Sequence, residues 1–461
     1  MPQSYFHFSI SERKLYLRVL DSALMLLGLF LSAYFFKFDY FDFQNSQSFI
    51  WGFLLIFYFL FFGEIFELYN LKVASDKYLT FRSAVMTLFF TVLFYVFTPF
   101  FSPILPQNRL QILIFIGALI IPLILNRWIY IQFIYAPRFL KNILVIVEAD
   151  HLLGVIQSIQ NKEANKIVVV VSDKEVKLNH SYRFIKSNQV DLKHAINKNY
   201  VNEIIVASSN PNFISKEINN QLIELFKKGV VIKSLDSFIE EETNKISEGK
   251  LTADFYNYFS FSKSHQNNLY LTFGRLSDIL FSLIGVIFFM VFIPIVFIGN
   301  FIANKGPLFY TQMRVGSKGE LFRIVKFRSM IVNAEKNGVV WAKKNDTRIT
   351  TFGRLLRKSR LDEVPQFINV LKGDMSLIGP RPERPEYVAR LEKELPFYGI
   401  RHVVKPGLTG WAQVMHPYAA TMEDQKIKLM YDLYYIKERN MLLDLKIIIK
   451  TISTILFFRG T

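Results

Sequence analysis

The chain contains no cysteine. Disulfides, thiolate nucleophiles and cysteine-based metal sites are therefore excluded. It also lacks a Gly-x-Gly-x-x-Gly loop. The place to expect one, after the β-branched run Lys141 to Val147, reads Glu148-Ala149-Asp150-His151-Leu152-Leu153-Gly154. Two acids stand there where a pyrophosphate needs bare backbone. Negative charge is scarce overall, 38 Asp+Glu against 55 Lys+Arg, for a formal charge of +17. Such a balance suits anionic partners. No RNA- or DNA-binding motif accompanies it, and the charge is interleaved with apolar segments. Nucleic acid is thus set aside in favour of anionic lipid headgroups and anionic substrates. Residues Met1 to Ile10 have no signal-peptide pattern, and no cleavage site follows the first apolar run, which reads as a retained membrane helix.

What the chain does have is apolar and aromatic residues. Hydrophobic residues make up 51% of it, and Phe alone contributes 47. That excess calls for membrane segments. Four apolar runs, at 17–36, 50–68, 84–101 and 110–132, each approach the ~20 residues that span a bilayer. They carry almost no polar stripe, which argues against a soluble bundle. Arg13, Lys14 and Arg18 precede or open the first run, and Lys72, Lys77 and Arg82 fill the second connection. Arg127, Arg138 and Lys141 surround the end of the fourth. The other two connections carry Asp39 and Asp42 against Lys37, and Arg109 among prolines. By the positive-inside rule the N-terminus and everything after the fourth helix face the cytoplasm.

Further on, β-branched runs at 141–147, 167–171 and 203–207 alternate with amphipathic stretches such as 219–228. This is the pattern of a parallel α/β layer, a Rossmann-like module without its dinucleotide fingerprint. A polar segment, 240–250, reads as a linker or arm. A fifth apolar run, 279–302, follows Arg275 and Asp278 and contains Pro294. Proline inside a helix bends its axis. Two readings compete, a straight spanning helix with a tolerated proline and a helix that breaks and returns to the same face; since both flanks are expected in the cytoplasm, the re-entrant one is preferred. The expected organisation is membrane α plus α/β. It comprises a four-helix transmembrane domain (1–135), the Rossmann-like module (136–240), a linker (241–270) and a C-terminal catalytic domain (271–461).

The chemistry concentrates around one carboxylate pair, Asp362 and Glu363, in Arg357-Lys358-Ser359-Arg360-Leu361-Asp362-Glu363-Val364-Pro365-Gln366. Lys326-Phe327-Arg328-Ser329-Met330 lies upstream, and Gly379-Pro380-Arg381-Pro382 and Pro406-Gly407-Leu408-Thr409-Gly410-Trp411 lie downstream. Two adjacent acids among basic, Gly/Pro-bounded loops suit work on a phosphate. The acids can supply a nucleophile and a metal ligand, and the bases can hold phosphoryl oxygens. On a helix the two acids diverge by ~100° and can flank one phosphoryl group.

Residues 270–461 resemble the catalytic domain of bacterial polyprenyl-phosphate phosphoglycosyl transferases, the monotopic sugar transferases that start exopolysaccharide and O-antigen synthesis. The motifs above carry the resemblance. Gly306-Pro307-Leu308-Phe309, Gln312-Met313-Arg314-Val315-Gly316 and Asn369-Val370-Leu371-Lys372-Gly373-Asp374-Met375-Ser376 add to it, in order. The whole chain looks like the long form of that family. The resemblance implies a double displacement. Asp362 would attack the β-phosphate of a UDP-sugar and expel UMP. Undecaprenyl phosphate would then take the sugar 1-phosphate from Asp362. Glu363 would hold Mg²⁺. Lys326, Arg328, Arg357 and Arg381 match family positions that face phosphates. Thr409, Gly410 and Gln413 form a turn that either packs under the nucleotide or is purely structural. His402 reads as a basic surface residue, and Asp374 and Asp432 as metal ligands or as capping and pairing groups. The resemblance further implies the bacterial cytoplasmic membrane, and partners among polysaccharide assembly proteins. The large apolar half is compatible with a homodimer.

Two departures stand out. Gly274-Arg275 replaces a Lys-Arg pair at the start of the re-entrant helix, and Met415-His416-Pro417-Tyr418 replaces an Asn-Gly-Arg-Asn run, removing an arginine that could contact donor. A membrane-anchored nucleotide-sugar dehydratase would need the missing glycine loop, and a metal-dependent glycosyltransferase an Asp-x-Asp, which does not occur. A non-catalytic scaffold of polysaccharide assembly would be expected to lose Asp362, Glu363 or the basic motifs, and all are present.

Overall fold

A computed structural model of the chain describes residues 10–36, 40–70, 77–130, 141–160, 165–175, 182–208, 213–251, 267–304, 306–332, 346–416 and 421–456, with residues 38, 73 and 334. They form two compact units, 1–234 and 235–461.

The first unit opens with four apolar helices, α1 (Ile10–Phe36), α2 (Ser48–Ile65), α3 (Lys77–Val96) and α4 (Leu110–Ile129). Each contains a segment long and apolar enough to cross a membrane. α1 lies against α4 so closely at Gly28 that a Cβ there would sit 2.2 Å from the Ala118 carbonyl oxygen. Small residues allow such approach between apolar helices. One end of the bundle buries charge. The Asp21 carboxylate accepts from Asn126 Nδ2 at 2.6 Å and from Arg127, clipping α1 to α4. Arg18 pairs with Glu64, and the Arg18 and Arg127 guanidinium groups each lie over the Tyr69 ring, at 5.5 and 5.4 Å.

The α/β module follows. Its strands are β1 (Lys141–Ile146), β2 (Asn165–Ser172), β3 (Arg183–Lys186), β4 (Glu203–Val206) and β5 (Val231–Ser234), in the order β3-β2-β1-β4-β5 and all parallel. Helices α5 (Leu152–Gln160), α6 (Leu192–Asn199) and α7 (Lys216–Lys227) connect them. Leu144, Ile146, Val169, Val171 and Ile204 are fully buried, as a covered parallel sheet requires. Beyond β1, the Ala149 N–H donates to Asp173 Oδ1 at 3.0 Å, and Ser208 Oγ donates to Glu148 at 2.6 Å. The Ala149 bond holds the Asp173 carboxyl below its ordinary range. The backbone group that a nucleotide-binding member of this fold offers to a phosphate is here engaged by the protein's own carboxylate.

The second unit begins with α8 (Leu235–Thr243). The stretch expected to be a linker, 241–270, is in part built into this unit. Ile246 is fully buried, its N–H donates to the Met430 carbonyl at 3.2 Å, and the Asn244 carbonyl accepts from the Trp411 indole at 2.8 Å. Residues 252–266 of that stretch lie outside the described residues.

Helix α9 (Asn268–Ala303) contains the most apolar window among the described membrane-length helices, with a mean hydropathy of 2.9. It is one continuous helix through Pro294, where the sequence suggested a break. Its buried face is a stripe of Asp278, Ser282, Gly285, Phe289, Val296 and Asn300, and most of its large apolar residues are exposed. Gly285 packs on the Phe367 ring and Gly299 on the Phe352 ring, where an added Cβ would come within 2.4 and 2.3 Å. Near the N-terminal end Arg275 donates to the Val370 and Leu371 carbonyls at 2.7 and 2.8 Å, and Asp278 accepts from the Leu377 N–H at 2.8 Å and Ser376 Oγ at 3.0 Å. Near the other end Asn300 Nδ2 donates to the Gly306 carbonyl at 3.0 Å.

The rest of the unit is an antiparallel hairpin, β6 (Phe309–Val315) and β7 (Leu321–Phe327), then α10 (Thr351–Lys358), a 3-10 turn (Leu361–Gln366) and α11 (Phe367–Lys372). A short parallel pair, β8 (Ser376–Ile378) and β9 (Gly407–Thr409), flanks α12 (Pro385–Glu394) and a 3-10 segment, Tyr398–Val403. Helices α13 (Trp411–Met415), α14 (Met422–Glu438) and α15 (Met441–Leu456) complete the described fold. Trp411, Tyr398, Leu429, Leu433, Tyr435 and Ile436 form its main core.

Candidate active site

Three backbone devices bring the basic motifs to the carboxylate pair. Thr350 caps α10 by accepting the Gly353 N–H at 3.0 Å. Gly353 presses on the backbone of Ser329, where a Cβ would come within 1.9 Å of the carbonyl oxygen. This fixes α10, and with it Arg357, against the end of the hairpin. Next, Arg360 takes a left-handed conformation (φ +60°), which turns the chain out of α10 into the 3-10 turn. A residue other than glycine there carries strain that its surroundings must offset. Finally, the Gly379-Pro380-Arg381 and Pro406-Gly407 loops cross back to back. The Gly379 N–H donates to the Thr409 carbonyl and the Gly407 N–H to the Pro380 carbonyl, both at 2.9 Å. A Cβ on Gly407 would come within 2.1 Å of the Gly379 nitrogen, so glycine is required for this approach. Arg381 projects from that crossing.

Asp362 and Glu363 lie in the 3-10 turn, not on an α-helix, so they diverge by about 120° rather than 100°. Both are buried, at 6% and 7% exposure. Glu363 Oε1 accepts from Lys326 Nζ at 2.8 Å and from Arg381 Nη2 at 2.6 Å. Its Oε2 lies 3.5 Å from Arg360 Nη1 and from Arg381 Nη1. Burial alone would raise the Glu363 pKa, but Arg381, Lys326 and Arg360 outweigh it and hold the carboxyl well below its ordinary range. Asp362 behaves oppositely. Burial and then the Glu363 charge push it up, against the pull of Lys326, Arg357 and Arg360. One acid is thus a fixed anion and its neighbour a carboxyl whose ionisation the site resists. An incoming cation or a change of partner at Glu363 shifts that balance.

Lys326, Arg357 and Arg381 are therefore brought together with the pair, and Arg360 joins them. The sequence signal for Arg360 was only its place in a basic run. Arg357 Nε donates to Ser329 Oγ at 2.9 Å, a positioning contact that the motif did not announce.

Arg328 is not part of this group. Its guanidinium is buried and donates to the Pro307 carbonyl at 2.6 Å, to Asn300 Oδ1 at 3.2 Å, to Asn304 Oδ1 and the Met330 carbonyl at 3.3 Å, and to the Asn304 carbonyl. It fastens the end of α9 to the hairpin. Arg275 and Asp278 fasten the other end, and Pro294 lies between. Thr409 Oγ1 bonds Thr451 Oγ1 at 2.6 Å, Gln413 Nε2 donates to the Leu408 carbonyl at 3.3 Å, and Gly410 abuts Gly379. The first ties the turn to α15, and the other two are contacts within the crossing loops.

His402 is not a basic surface residue. Burial, and then the Arg401 charge, lower its pKa to about 4, so it is neutral at pH 7. Asp432 pairs with Arg401 Nε at 2.8 Å, and Arg401 Nη2 donates to the Arg381 carbonyl at 3.1 Å. Lys428 pairs with Glu383, two residues beyond Arg381. A buried ionic frame thus stands behind the Arg381 loop. Asp374 accepts from Asn369 Nδ2 at 3.2 Å.

Among the described residues no group of three or more Asp, Glu or His could hold a metal by itself. That fits Mg²⁺, which is commonly bound through one or two carboxylates together with substrate phosphates. Asp362 and Glu363 are hard oxygen donors of the right kind.

Comparison with known proteins finds relatives of the C-terminal part of the chain. Residues 269–458 match the family described as bacterial sugar transferase. A Bacillus subtilis (strain 168) protein, provisionally named undecaprenyl-phosphate N-acetylgalactosaminyl 1-phosphate transferase, is 47% identical over 142 residues, 31% of this chain and 79% of that protein. The chain belongs to the bacterial sugar transferase family. Longer members are also similar. The UDP-N-acetylgalactosamine-undecaprenyl-phosphate N-acetylgalactosaminephosphotransferase of Aeromonas hydrophila is 53% identical over 153 residues, 33% of this chain and 36% of that protein. The UDP-glucose:undecaprenyl-phosphate glucose-1-phosphate transferase of Xanthomonas campestris pv. campestris is 37% identical over 243 residues, 52% and 48%. The matches thus span between about a third and a half of these two relatives.

Proposed function

We propose that this family member transfers a sugar 1-phosphate from a UDP-sugar to undecaprenyl phosphate. The observation that carries the reading is the buried Asp362–Glu363 pair ringed by Lys326, Arg357, Arg360 and Arg381. In the first step an Asp362 oxygen bonds to the β-phosphorus. The bond from that phosphorus to the bridging oxygen breaks, and UMP leaves with the bridging oxygen. In the second step an oxygen of the lipid phosphate bonds to the same phosphorus and Asp362 leaves as carboxylate. A covalent intermediate lets one site serve a soluble donor and then a lipid acceptor. The four cations neutralise charge on the phosphoryl oxygens. Mg²⁺, held by Glu363 with Asp362 beside it, would add Lewis-acid neutralisation when bound.

The anchoring of α9 supports the part of the re-entrant reading that keeps both ends on one face, though without the break. Arg275 and Asn300 are 25 positions apart, about 37 Å along a straight helix and more than the ~30 Å hydrocarbon thickness. Both nevertheless fasten to the same compact unit. A helix crossing the bilayer would carry one end away from that unit. The exposed apolar face of α9 would then lie in one leaflet, with the site on the cytoplasmic side of the inner membrane. The α/β module, its phosphate position engaged by Asp173, serves structure or regulation rather than dinucleotide chemistry.

The test is UMP release by the full chain in nanodiscs with Mg²⁺, undecaprenyl phosphate and a panel of UDP-sugars, led by UDP-N-acetylgalactosamine because two of the similar relatives are named for that sugar. Turnover requiring one donor, the lipid and Asp362 supports the reading. UMP release unchanged in Asp362→Asn would overturn the nucleophile, and no release from any donor would overturn the activity.

A further inference from the structure

Lys326, Arg360 and Arg381, three of the four cations around the pair, all face the Glu363 carboxylate, and both of its oxygens are engaged. The Glu363 side chain is only 9% exposed, so no water shell competes with these contacts. A carboxylate held by an arginine fork and a lysine imitates one phosphoryl group. The cations that the proposed donor requires are thus already occupied by a group of the protein.

We infer that Glu363 is an internal stand-in for the donor's diphosphate. It holds Lys326, Arg360 and Arg381 in their binding positions, and it is exchanged for phosphoryl oxygens when a nucleoside diphosphate enters. This rests on the phosphoglycosyl transfer reading above. The exchange releases the Glu363 carboxylate at the moment a diphosphate arrives, and a released carboxylate is what a divalent cation needs. Metal alone must compete with three cations for Glu363. Diphosphate alone must compete with Glu363 for the same three. Together each removes the other's competitor. Coupling of this kind is reciprocal. It makes the site discriminate in favour of the metal–diphosphate complex over either component.

The experiment measures UDP affinity by calorimetry on the full chain in nanodiscs, in EDTA and in Mg²⁺, for the native protein, Glu363→Gln and Asp362→Asn. In EDTA, Glu363→Gln is expected to bind UDP about tenfold more tightly than native, because three cations are freed. Asp362→Asn removes the same charge next door but frees no cation, and should stay within about threefold of native. In Mg²⁺ the order inverts, native binding more tightly than Glu363→Gln. Glu363→Asp keeps the charge on a shorter arm and should also gain in EDTA, by a smaller factor. No gain for either Glu363 variant in EDTA overturns the proposal, as does an equal gain in Asp362→Asn, which would reduce the effect to net charge. UMP release by the native protein in the same nanodiscs separates the two readings. Release with a flat EDTA comparison sinks only the stand-in role, whereas neither release nor UDP binding sinks the transferase reading and this inference with it.

Discussion

The molecule buries charge in two places, and the two are balanced differently. At one end of the apolar bundle Asp21 meets Arg127, and Glu64 meets Arg18, acid for base. In the C-terminal unit two acids meet four bases, Lys326, Arg357, Arg360 and Arg381. The first arrangement is balanced acid for base, and its product is a fixed helix packing. The second has a cationic surplus that becomes neutral only when an anion enters. Asp21 is as buried as Asp362 and Glu363, and stoichiometry separates a clip from a site.

The comparison breaks most sharply at Asp362. Asp362→Asn retains the cations but loses the proposed nucleophile, and UMP formation is expected to fall by about 10⁴-fold or more. Raised by burial and then by the Glu363 charge, the Asp362 pKa also places the acidic limb of kcat/KM above the ordinary carboxylate range, so kcat/KM should go on rising with pH well above 4. An acidic limb at 4 would contradict this.

In the bundle, Arg127→Met leaves Asp21 unbalanced. A loss of about 3–5 kcal/mol is expected, read as a lower unfolding midpoint in detergent. Asp21→Asn together with Arg127→Met should recover most of it, since the clip works only as a pair. If the single and double variants are equally unstable, the ion pair is not what joins α1 to α4.

The frame behind Arg381 sharpens the contrast, being closed like the bundle's clip but adjacent to the site. Burial would raise the Glu383 pKa, yet Lys428, Arg401 and Arg314 bring it down to about 2. A depressed carboxyl contributes stability above its unfolded pKa and loses it as pH falls. The window therefore runs from about 4.5 down to about 2. Glu383→Gln should remove about 3 kcal/mol of stability at pH 7 and flatten the acid sensitivity of unfolding in that window.

The smallest effect is expected at Ser329. Ser329→Ala removes the contact that aims Arg357, and kcat should fall roughly tenfold or less, with donor KM little changed. Ser329→Thr, which keeps the hydroxyl, should restore kcat. Equal losses in both variants would mark Ser329 as a packing residue only.

Much of this was legible in the chain. Apolar run length gave the four N-terminal helices, and β-branched runs gave the parallel sheet, because both report burial averaged over many residues. The carboxylate pair and the bases near it were visible through motif order. What escaped were individual directions. Lys326 lies in β7 and Arg328 just past its end, two positions on, so strand periodicity continued through both would put them on the same face. Only the neighbouring end of α9, with Asn300 and Asn304, decides that one guanidinium turns inward. Likewise a polar composition at 241–250 conceals a buried Ile246, and the letters around His402 show Arg401 beside it but not that the imidazole is largely covered. Long side chains reach partners set by tertiary packing, which local spacing does not encode.

The two anchors of α9 make that helix a ruler. Arg275 and Asp278 grip it at one end, Asn300 and Arg328 at the other, and Gly285 and Gly299 lock its rotation against Phe367 and Phe352. One inserted residue between them would swing the far anchor by ~100° and lift it by ~1.5 Å, so the segment tolerates exchange of its apolar side chains far better than a change in their number. On the re-entrant reading proposed above, the depth at which the carboxylate pair meets a lipid phosphate would then be set by the number of residues in α9.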